Sequence, residues 1–185
     1  MALAYSLSLL SPEAHMKIVL PALAAFLIAH AAHAALDGSP IPAFEATSLT
    51  GKTVSSQQLI GQPTILIVTP SKDAAADTRM WANALRKNLD QKAIRIRDVI
   101  AVDLPFFMGE RDAIGRAKDK IPARYYDQTW LTSGTKLETA LAIPTGSGSA
   151  FVFVLDSQGK ILARVQGEPT EQRVREIQSA VQKTQ

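Results

Sequence analysis

The chain has 185 residues, of which 46% are hydrophobic and 20% are charged, and its formal net charge is +3. This composition is typical of an ordinary globular domain and excludes disordered, collagen-like and multi-spanning membrane chains. The sequence contains no cysteine, which excludes disulfides, thiolate metal sites, iron–sulfur clusters and cysteine nucleophiles. A net charge this small does not by itself indicate nucleic-acid binding.

The first 34 residues have the parts of a secretory signal peptide. Lys17 precedes an uncharged apolar run at 18–29, and the small-x-small motif Ala32-His33-Ala34 follows it. The run is shorter than the roughly 20 apolar residues that span a bilayer, so we expect cleavage before Ala35. An uncleaved N-terminal anchor is the alternative, and Met16 is an alternative start. The sequence therefore predicts a periplasmic or secreted domain at 35–185, with no membrane span after cleavage.

Cleavage would also remove every histidine of the chain, because all three lie before Ala35. The mature chain would then have neither His nor Cys, so a metal site could use only oxygen ligands, and no calcium-loop run occurs. From these residues we predict no catalytic residue, no cofactor and no metal.

The first half of the domain is predicted as a hairpin followed by a β-α-β unit. After an extended lead-in at 36–44, strands at 45–49 and 52–54 flank a turn at Thr50-Gly51, and a short helix follows at 55–59. The aliphatic run at 64–69 predicts a strand buried on both faces, which Pro70 ends. A helix is predicted at 77–88, and a strand at 95–104 with its buried part at 99–102. The expected inner face of the helix is Met80, Trp81, Ala84, Leu85 and Asn88.

The second half is predicted to end in an antiparallel hairpin and a closing helix. A helix at 110–121, an extended segment at 124–130 and a short helix at 135–141 come first. Strands at 150–155 and 160–166 then flank a turn, and an amphipathic helix covers 168–182, with Val174, Ile177 and Val181 on one face. A β-α-β unit requires a parallel strand pair. The sequence therefore predicts an α/β domain with a mixed sheet and helices on both faces.

Three local patterns resemble the thioredoxin-like superfamily, in its redoxin branch of peroxiredoxins and cytochrome-maturation thioredoxins. Residues 42–44 with 49–54 and 59–61 resemble the lead-in P-x-F … x-G-K-x-V … L-x-G, residues 151–161 resemble the C-terminal hairpin, and Gly167 matches the glycine that ends the last strand. The resemblance covers about 41–181. It implies a thioredoxin-like three-layer α/β/α fold with a mixed central sheet.

The chain departs from this family at the positions that carry the family's chemistry. Catalytic members have Cys-x-x-Cys or a peroxidatic cysteine after the first core strand, whereas residues 70–77 here are PSKDAAAD. The family's cis-proline position falls near Ala150, and the nearest prolines are Pro144 and Pro169. Thiol–disulfide exchange requires a thiolate. The resemblance therefore implies a Cys-less, non-catalytic binding or scaffold protein; the alternative is a redoxin-type antioxidant or thiol oxidoreductase that is degenerate at its active site.

The candidate binding surface is the edge where the family's active site lies. Residues 70–77 and the pair Phe106-Phe107 each follow a core strand, and ligand sites of α/β proteins form at the carboxyl ends of the strands. Because Pro105 ends its strand, we expect at least one phenylalanine to be exposed or to pack on 71–76; the alternative is that both cover the sheet end. The predicted partner is a periplasmic protein or a small ligand, and not a nucleic acid. The predicted binding residues are Pro70, Ser71, Lys72, Asp73, Asp77, Phe106 and Phe107.

Three further patterns have ordinary structural interpretations. Residues 133–136 fit S-x-x-K of penicillin-recognising enzymes, but the companion motifs are absent, so we predict a helix start capped by Ser133 or Thr135. The carboxylates at 103, 110 and 112 are expected at a strand end and in a first helical turn. The basic residues at 79, 86, 87, 95 and 97 lack interleaved aromatics and are expected to form a solvated face.

Overall fold

The computed structural model describes residues 38–184. The predicted signal peptide, the alternative start at Met16 and the cleavage site before Ala35 lie outside these residues. Within them, no helix is long and apolar enough to cross a membrane.

A seven-stranded mixed sheet in the order β2-β1-β5-β4-β3-β6-β7 forms the centre of the described residues. The β3–β4 and β4–β5 pairs are parallel, and the other four pairs are antiparallel. Strand β3 is buried along its whole length, as the run TILIVT predicts. The strands are β1 (Glu45–Ser48), β2 (Thr53–Ser55), β3 (Thr64–Thr69), β4 (Arg95–Ala101), β5 (Thr129–Thr132), β6 (Phe151–Leu155) and β7 (Ile161–Gln166).

Helices cover both faces of this sheet. On one face, Trp81 and Leu85 of α1 and Ile177 of α4 join the apolar side chains of β3, β4 and β6 in one core. On the other face, Leu137 of α3 packs with Phe153 and its neighbours in a second core. The described residues thus form the predicted α/β/α layers. The helices are α1 (Ala75–Asn88), α2 (Glu110–Lys118), α3 (Gly134–Ala140) and α4 (Glu171–Gln182), with 3-10 turns at Ser56–Leu59 and Ala123–Gln128.

The two predicted hairpins are confirmed, and the hydrogen bonds of their turns explain why glycine and aspartate occur there. Gly51 has φ +85° and its N–H donates to the Ser48 carbonyl at 2.8 Å, which closes the β1–β2 turn. A side chain is strained at that φ, so glycine fits there. The Asp156 carboxylate accepts from the N–H groups of Gln158 and Lys160 in the β6–β7 turn.

Three details of the predicted elements are wrong. Residues 123–128 form a 3-10 turn and not an extended segment, because Pro122 carries φ −59° and its carbonyl accepts from the Tyr125 N–H. Strand β4 ends at Ala101, and its first half is also buried, at Ile96 and Asp98. Helix α1 buries Trp81, Ala82 and Leu85, which leaves Met80 41% exposed and Asn88 exposed.

Candidate functional site

The parallel pairing of β3 with β4 places the two predicted site segments at one edge of the sheet. Thr69 is in register with Ile100, so the chain leaves both strands at neighbouring points. We refer to residues 70–77 as the β3 segment and to residues 102–109 as the β4 loop. The sequence prediction that both lie at the same edge is confirmed by this register.

The β3 segment is held by hydrogen bonds to residues 147–150, which precede β6. The Ser71 hydroxyl donates to the Ser147 carbonyl at 2.8 Å and accepts from the Ala74 N–H at 3.4 Å. One Asp77 carboxylate oxygen accepts from the Ala150 N–H at 3.3 Å. Ala150 is fully buried, so Asp77 satisfies a backbone donor that water cannot reach.

The start of α1 is fixed by a second set of hydroxyl contacts. The Thr69 and Thr78 hydroxyls lie 2.8 Å apart, and the Thr78 hydroxyl also donates to the Ala74 carbonyl. Lys72 and Asp73 are exposed, and neither takes part in an ion pair within residues 38–184. Of the predicted binding residues in the β3 segment, Lys72 and Asp73 are therefore the ones available to a partner. The prediction for Pro70 is wrong, because Pro70 is buried at the end of β3, and Ser71 and Asp77 support the backbone.

The β4 loop presents its phenylalanines to solvent. Phe106 is 103% exposed and Phe107 is 71% exposed. Their rings contact each other edge to face, with centroids 5.5 Å apart and an interplanar angle of 86°. The prediction that at least one ring is exposed is confirmed, and the alternative that both cover the sheet end is wrong. The turn is closed by the Met108 N–H, which donates to the Pro105 carbonyl at 2.9 Å.

Asp103 joins the base of the β4 loop to the start of α3. Its carboxylate accepts from the Gly134 N–H at 3.0 Å and the Ser133 hydroxyl at 2.8 Å, and from the Thr135 hydroxyl. These hydroxyl hydrogen bonds, that of Thr135 first, hold the pKa of Asp103 below its ordinary value. The predicted helix start at 133–136 is confirmed with Ser133 at the N-cap position, but the carboxylate of Asp103, and not the hydroxyl of Ser133 or Thr135, accepts from the first N–H of the helix. Sequence patterns missed this because the capping carboxylate lies about 30 residues away.

Close packing of α3 on the end of β4 depends on Gly134. A Cβ at this position would lie 2.8 Å from the Ala101 carbonyl oxygen, a distance that carbon atoms do not tolerate without a backbone shift. One turn later, Glu138 is buried, and its carboxylate has no hydrogen bond or ion pair within the described residues. Burial, with a smaller effect from Asp103, raises the pKa of Glu138.

The basic stretch does not form the solvated face that was expected. Arg86 donates to the Asp98 carboxylate at 2.6 Å, both side chains are about nine-tenths buried, and the Arg86 guanidinium lies 4.1 Å from the Tyr125 ring centroid. Burial raises the pKa of Asp98 and Arg86 opposes that rise. Arg95 donates to four backbone carbonyls between residues 58 and 62. These arginines therefore hold elements together, while Arg79 and Lys87 are exposed.

A cavity of about 970 Å³ lies beside the predicted site. It is lined by β1, β2, β5 and α3 and by Val102, Asp103, Leu104 and Glu110. None of the seven predicted binding residues lines it. No group of three or more metal-ligating side chains occurs in residues 38–184.

Comparison with known structures identifies the fold. The thioredoxin domain of a thiol-disulfide oxidoreductase from Bacteroides vulgatus matches with a TM-score of 0.56 and 17% identity, over 78% of this chain and 97% of that one. A candidate thiol:disulfide interchange protein DsbE from Chlorobium tepidum matches with a TM-score of 0.58 and 19% identity, over 78% and 97% of the two chains. An exposed lipoprotein thioredoxin from Streptococcus pneumoniae matches with a TM-score of 0.52 and 14% identity, over 73% and 99%.

The chain has the thioredoxin-like fold. No protein-family model and no curated protein matches the sequence. The place that holds sulfur in catalytic members of the resembled family is the β3 segment, and here it is Pro70 to Asp77 without cysteine. A thiolate is the attacking group in thiol–disulfide exchange, so this chain has the fold without the nucleophile of that reaction.

Proposed function

We propose that this protein is an exported, non-catalytic binding or scaffold protein that holds its partner at the sheet edge formed by the β3 segment and the β4 loop. The observation that carries the proposal is the exposure of both Phe106 and Phe107. Exposed adjacent aromatic side chains are costly in water, and aromatic side chains supply much of the binding energy at protein interfaces. Lys72 and Asp73 on the neighbouring segment would add polar contacts at the rim.

The binding part is tested with Phe106→Ala and Phe107→Ala in the full chain. Photo-crosslinking in cells that export the protein identifies the partner, and a binding assay with the purified partner then measures each variant. We expect each change to weaken binding by about 2 kcal/mol or more, while Met80→Ala, which removes another exposed apolar side chain, leaves it unchanged. Equal affinity of the wild type and both phenylalanine variants would overturn this assignment of the binding surface.

Export is supported by the signal-peptide pattern at 1–34. One of the structural relatives is itself an exposed lipoprotein. We expect N-terminal sequencing of the exported protein to begin at Ala35. A retained leader would favour the uncleaved anchor instead.

The second candidate is a thiol oxidoreductase or redoxin-type antioxidant that is degenerate at its active site. The oxidoreductase relatives with the same fold support it, and fold alone does not decide function. The binding protein and the oxidoreductase differ in whether they turn over a disulfide or peroxide substrate. We expect the purified protein neither to reduce insulin disulfides nor to consume peroxide above a blank without protein, and turnover in either assay would favour the oxidoreductase.

A further inference from the structure

The cavity beside the predicted site arises where two strands of the sheet separate. Strand β1 pairs with β5 only through Thr47 with Leu131 and Ser48 with Trp130. The same strand remains paired with β2 as far back as Glu45. Toward the β4 loop, β1 and β5 are therefore no longer paired through their backbones, and the Thr132 hydroxyl donates to the Glu45 carbonyl at 2.7 Å. We call the resulting cavity the splay groove.

The apolar residues that line the splay groove are mostly buried, as Ala46, Leu131 and Leu137 are, whereas its charged residues are exposed. Phe44, Ala46, Leu131 and Leu137 supply apolar surface, and hydroxyl groups of β2 and β5 lie among them. Its volume of about 970 Å³ is at the upper end of the roughly 300–1,000 Å³ of ligand sites. A groove of this size accepts a short stretch of chain or a ligand of similar bulk.

The charged residues of the groove are mainly acidic, and one of them, Asp103, is already hydrogen-bonded to residues 133–135. Glu45, Asp103 and Glu110 line it, against a single cation, Lys136. None of these four takes part in the ion pairs found within residues 38–184. The groove is therefore a local concentration of negative charge on a chain whose net charge is +3, and such a concentration attracts cations by Coulomb forces.

We infer that the splay groove binds an extended peptide segment of a partner in which basic side chains alternate with apolar ones. Successive side chains of an extended peptide point to opposite faces, so the apolar side chains of one face could enter the groove. The long, flexible stems of lysine or arginine on the other face could bend back to the exposed carboxylates of Glu45 and Glu110. Beyond Thr47 and Leu131 the facing edges of β1 and β5 are unpaired, and unpaired strand backbone accepts an extended peptide. This site uses residues other than Phe106 and Phe107, so it stands or falls separately from the proposed function.

The test measures fluorescence anisotropy of labelled hexapeptides with the full chain. The probe alternates leucine and lysine; one comparison peptide alternates leucine and glutamate, and another alternates serine and lysine. We expect saturable binding of the leucine–lysine peptide that weakens with added salt, and much weaker binding of both comparison peptides. No saturation with the leucine–lysine peptide up to roughly 1 mM, the weak end of the affinity scale, would overturn the inference, as would equal binding of the leucine–glutamate peptide.

Two variants localise the binding to the groove. The double change Glu45→Gln with Glu110→Gln should raise the Kd roughly three- to tenfold, because exposed charge pairs contribute modestly. The matched control is Glu168→Gln with Glu176→Gln, which removes the same charge from exposed positions outside the groove and should leave the Kd within about twofold.

The second variant fills the groove without removing charge. Ala140 is exposed and lines the groove, so Ala140→Phe should be tolerated by the fold and should raise the Kd by about tenfold or more through steric exclusion. Asn83→Phe is the control, because it adds the same ring at an exposed helical position of α1 that does not line the groove. If Ala140→Phe binds the peptide as the wild type does, or if the controls lose as much affinity as the groove variants, the groove is not the binding site.

Discussion

The two segments that follow the neighbouring strands β3 and β4 differ in what their side chains contact. After β3, the hydroxyl of Ser71 and the carboxylate of Asp77 bond to the backbone that precedes β6. After β4, Phe106 and Phe107 contact each other and extend into solvent. The first segment is therefore tied to the domain by its polar groups, whereas the second exposes apolar groups that the fold does not use.

At this edge, one segment is therefore bonded to the domain and the other carries exposed apolar side chains. A thiol site needs an accessible sulfur, and the β3 segment has none; two of its polar side chains, Ser71 and Asp77, bond to backbone within the protein instead. The exposed apolar surface lies on the adjacent loop, at Phe106 and Phe107. The following predictions test this contrast, from the largest expected loss of stability to the smallest.

Asp77 should contribute most to the β3 segment. Asp77→Ala leaves the buried Ala150 N–H without an acceptor, and an unsatisfied buried donor costs about 1–3 kcal/mol. Asp77→Asn keeps an oxygen acceptor and should lose less. Urea denaturation measures the free energy of unfolding of both, with Asp73→Ala, an exposed neighbour, as the control. A loss for Asp77→Ala no greater than that for Asp73→Ala would show that the segment is not held by this bond.

Asp103 should hold the base of the β4 loop, so that the loop is fixed at its base and open at its tip. Asp103→Ala removes the cap of α3, and lost caps cost about 0.5–2 kcal/mol; solvent screening keeps the purely ionic part of this small. The reference is Asp156→Ala in the β6–β7 turn, which also removes a carboxylate that accepts two N–H groups.

The pH dependence of Asp103→Ala has a defined sign. Because the folded state lowers the pKa of Asp103, its carboxylate stabilises the fold above the unfolded pKa of about 3.9 and that contribution is lost as pH falls through the folded value. The stability difference between wild type and Asp103→Ala should therefore be full at pH 7 and should shrink below about pH 4. A difference that grows on acidification would contradict the hydrogen bonds to Thr135 and Ser133 as its source.

Ser71 should contribute less than Asp77, because its partner Ser147 lies in a partly exposed loop. Ser71→Ala removes one hydrogen bond to the Ser147 carbonyl and one from the Ala74 N–H, and a net loss of about 0.5–1.5 kcal/mol is expected. Ser71→Thr retains the hydroxyl and serves as the comparison in the same urea titration. If both variants are as stable as the wild type, the hydroxyl does not tie the two segments together.

The layered fold could be predicted from the sequence because its signals are local. The run TILIVT predicts β3, the apolar periodicity around Trp81 predicts α1, and Pro70 predicts where β3 ends. The edge at which the site segments meet then follows from the parallel β-α-β connection. Exposure of the phenylalanines followed from Pro105, which ends the extended backbone before them.

The bonds that distinguish the two strand ends could not be predicted in this way. Asp77 and Ala150 are 73 residues apart, and Asp103 and Gly134 are 31 apart. Such contacts depend on how the layers come together, which periodicity does not encode. The splay groove has the same origin, since the point where β1 leaves β5 is set by pairing and not by a local motif. The tyrosines around Tyr125 favour a strand, so the sequence predicts an extended segment there. In the structure the Tyr125 N–H donates to the Pro122 carbonyl and closes a 3-10 turn instead.

Phe106 and Phe107 should have the smallest effect on stability of any residues at this edge. A side chain that is 103% or 71% exposed loses almost no burial when it is truncated, so Phe106→Ala and Phe107→Ala should each change the free energy of unfolding by less than about 0.5 kcal/mol. Phe153→Ala, at a fully buried position of β6, is the matched control and should cost about 3–5 kcal/mol. A thermal melt and a urea titration of the three variants distinguish exposed rings from a buried one. A loss above about 2 kcal/mol in either loop variant would mean that its ring packs on the domain in solution, which would remove the contrast between the two strand ends.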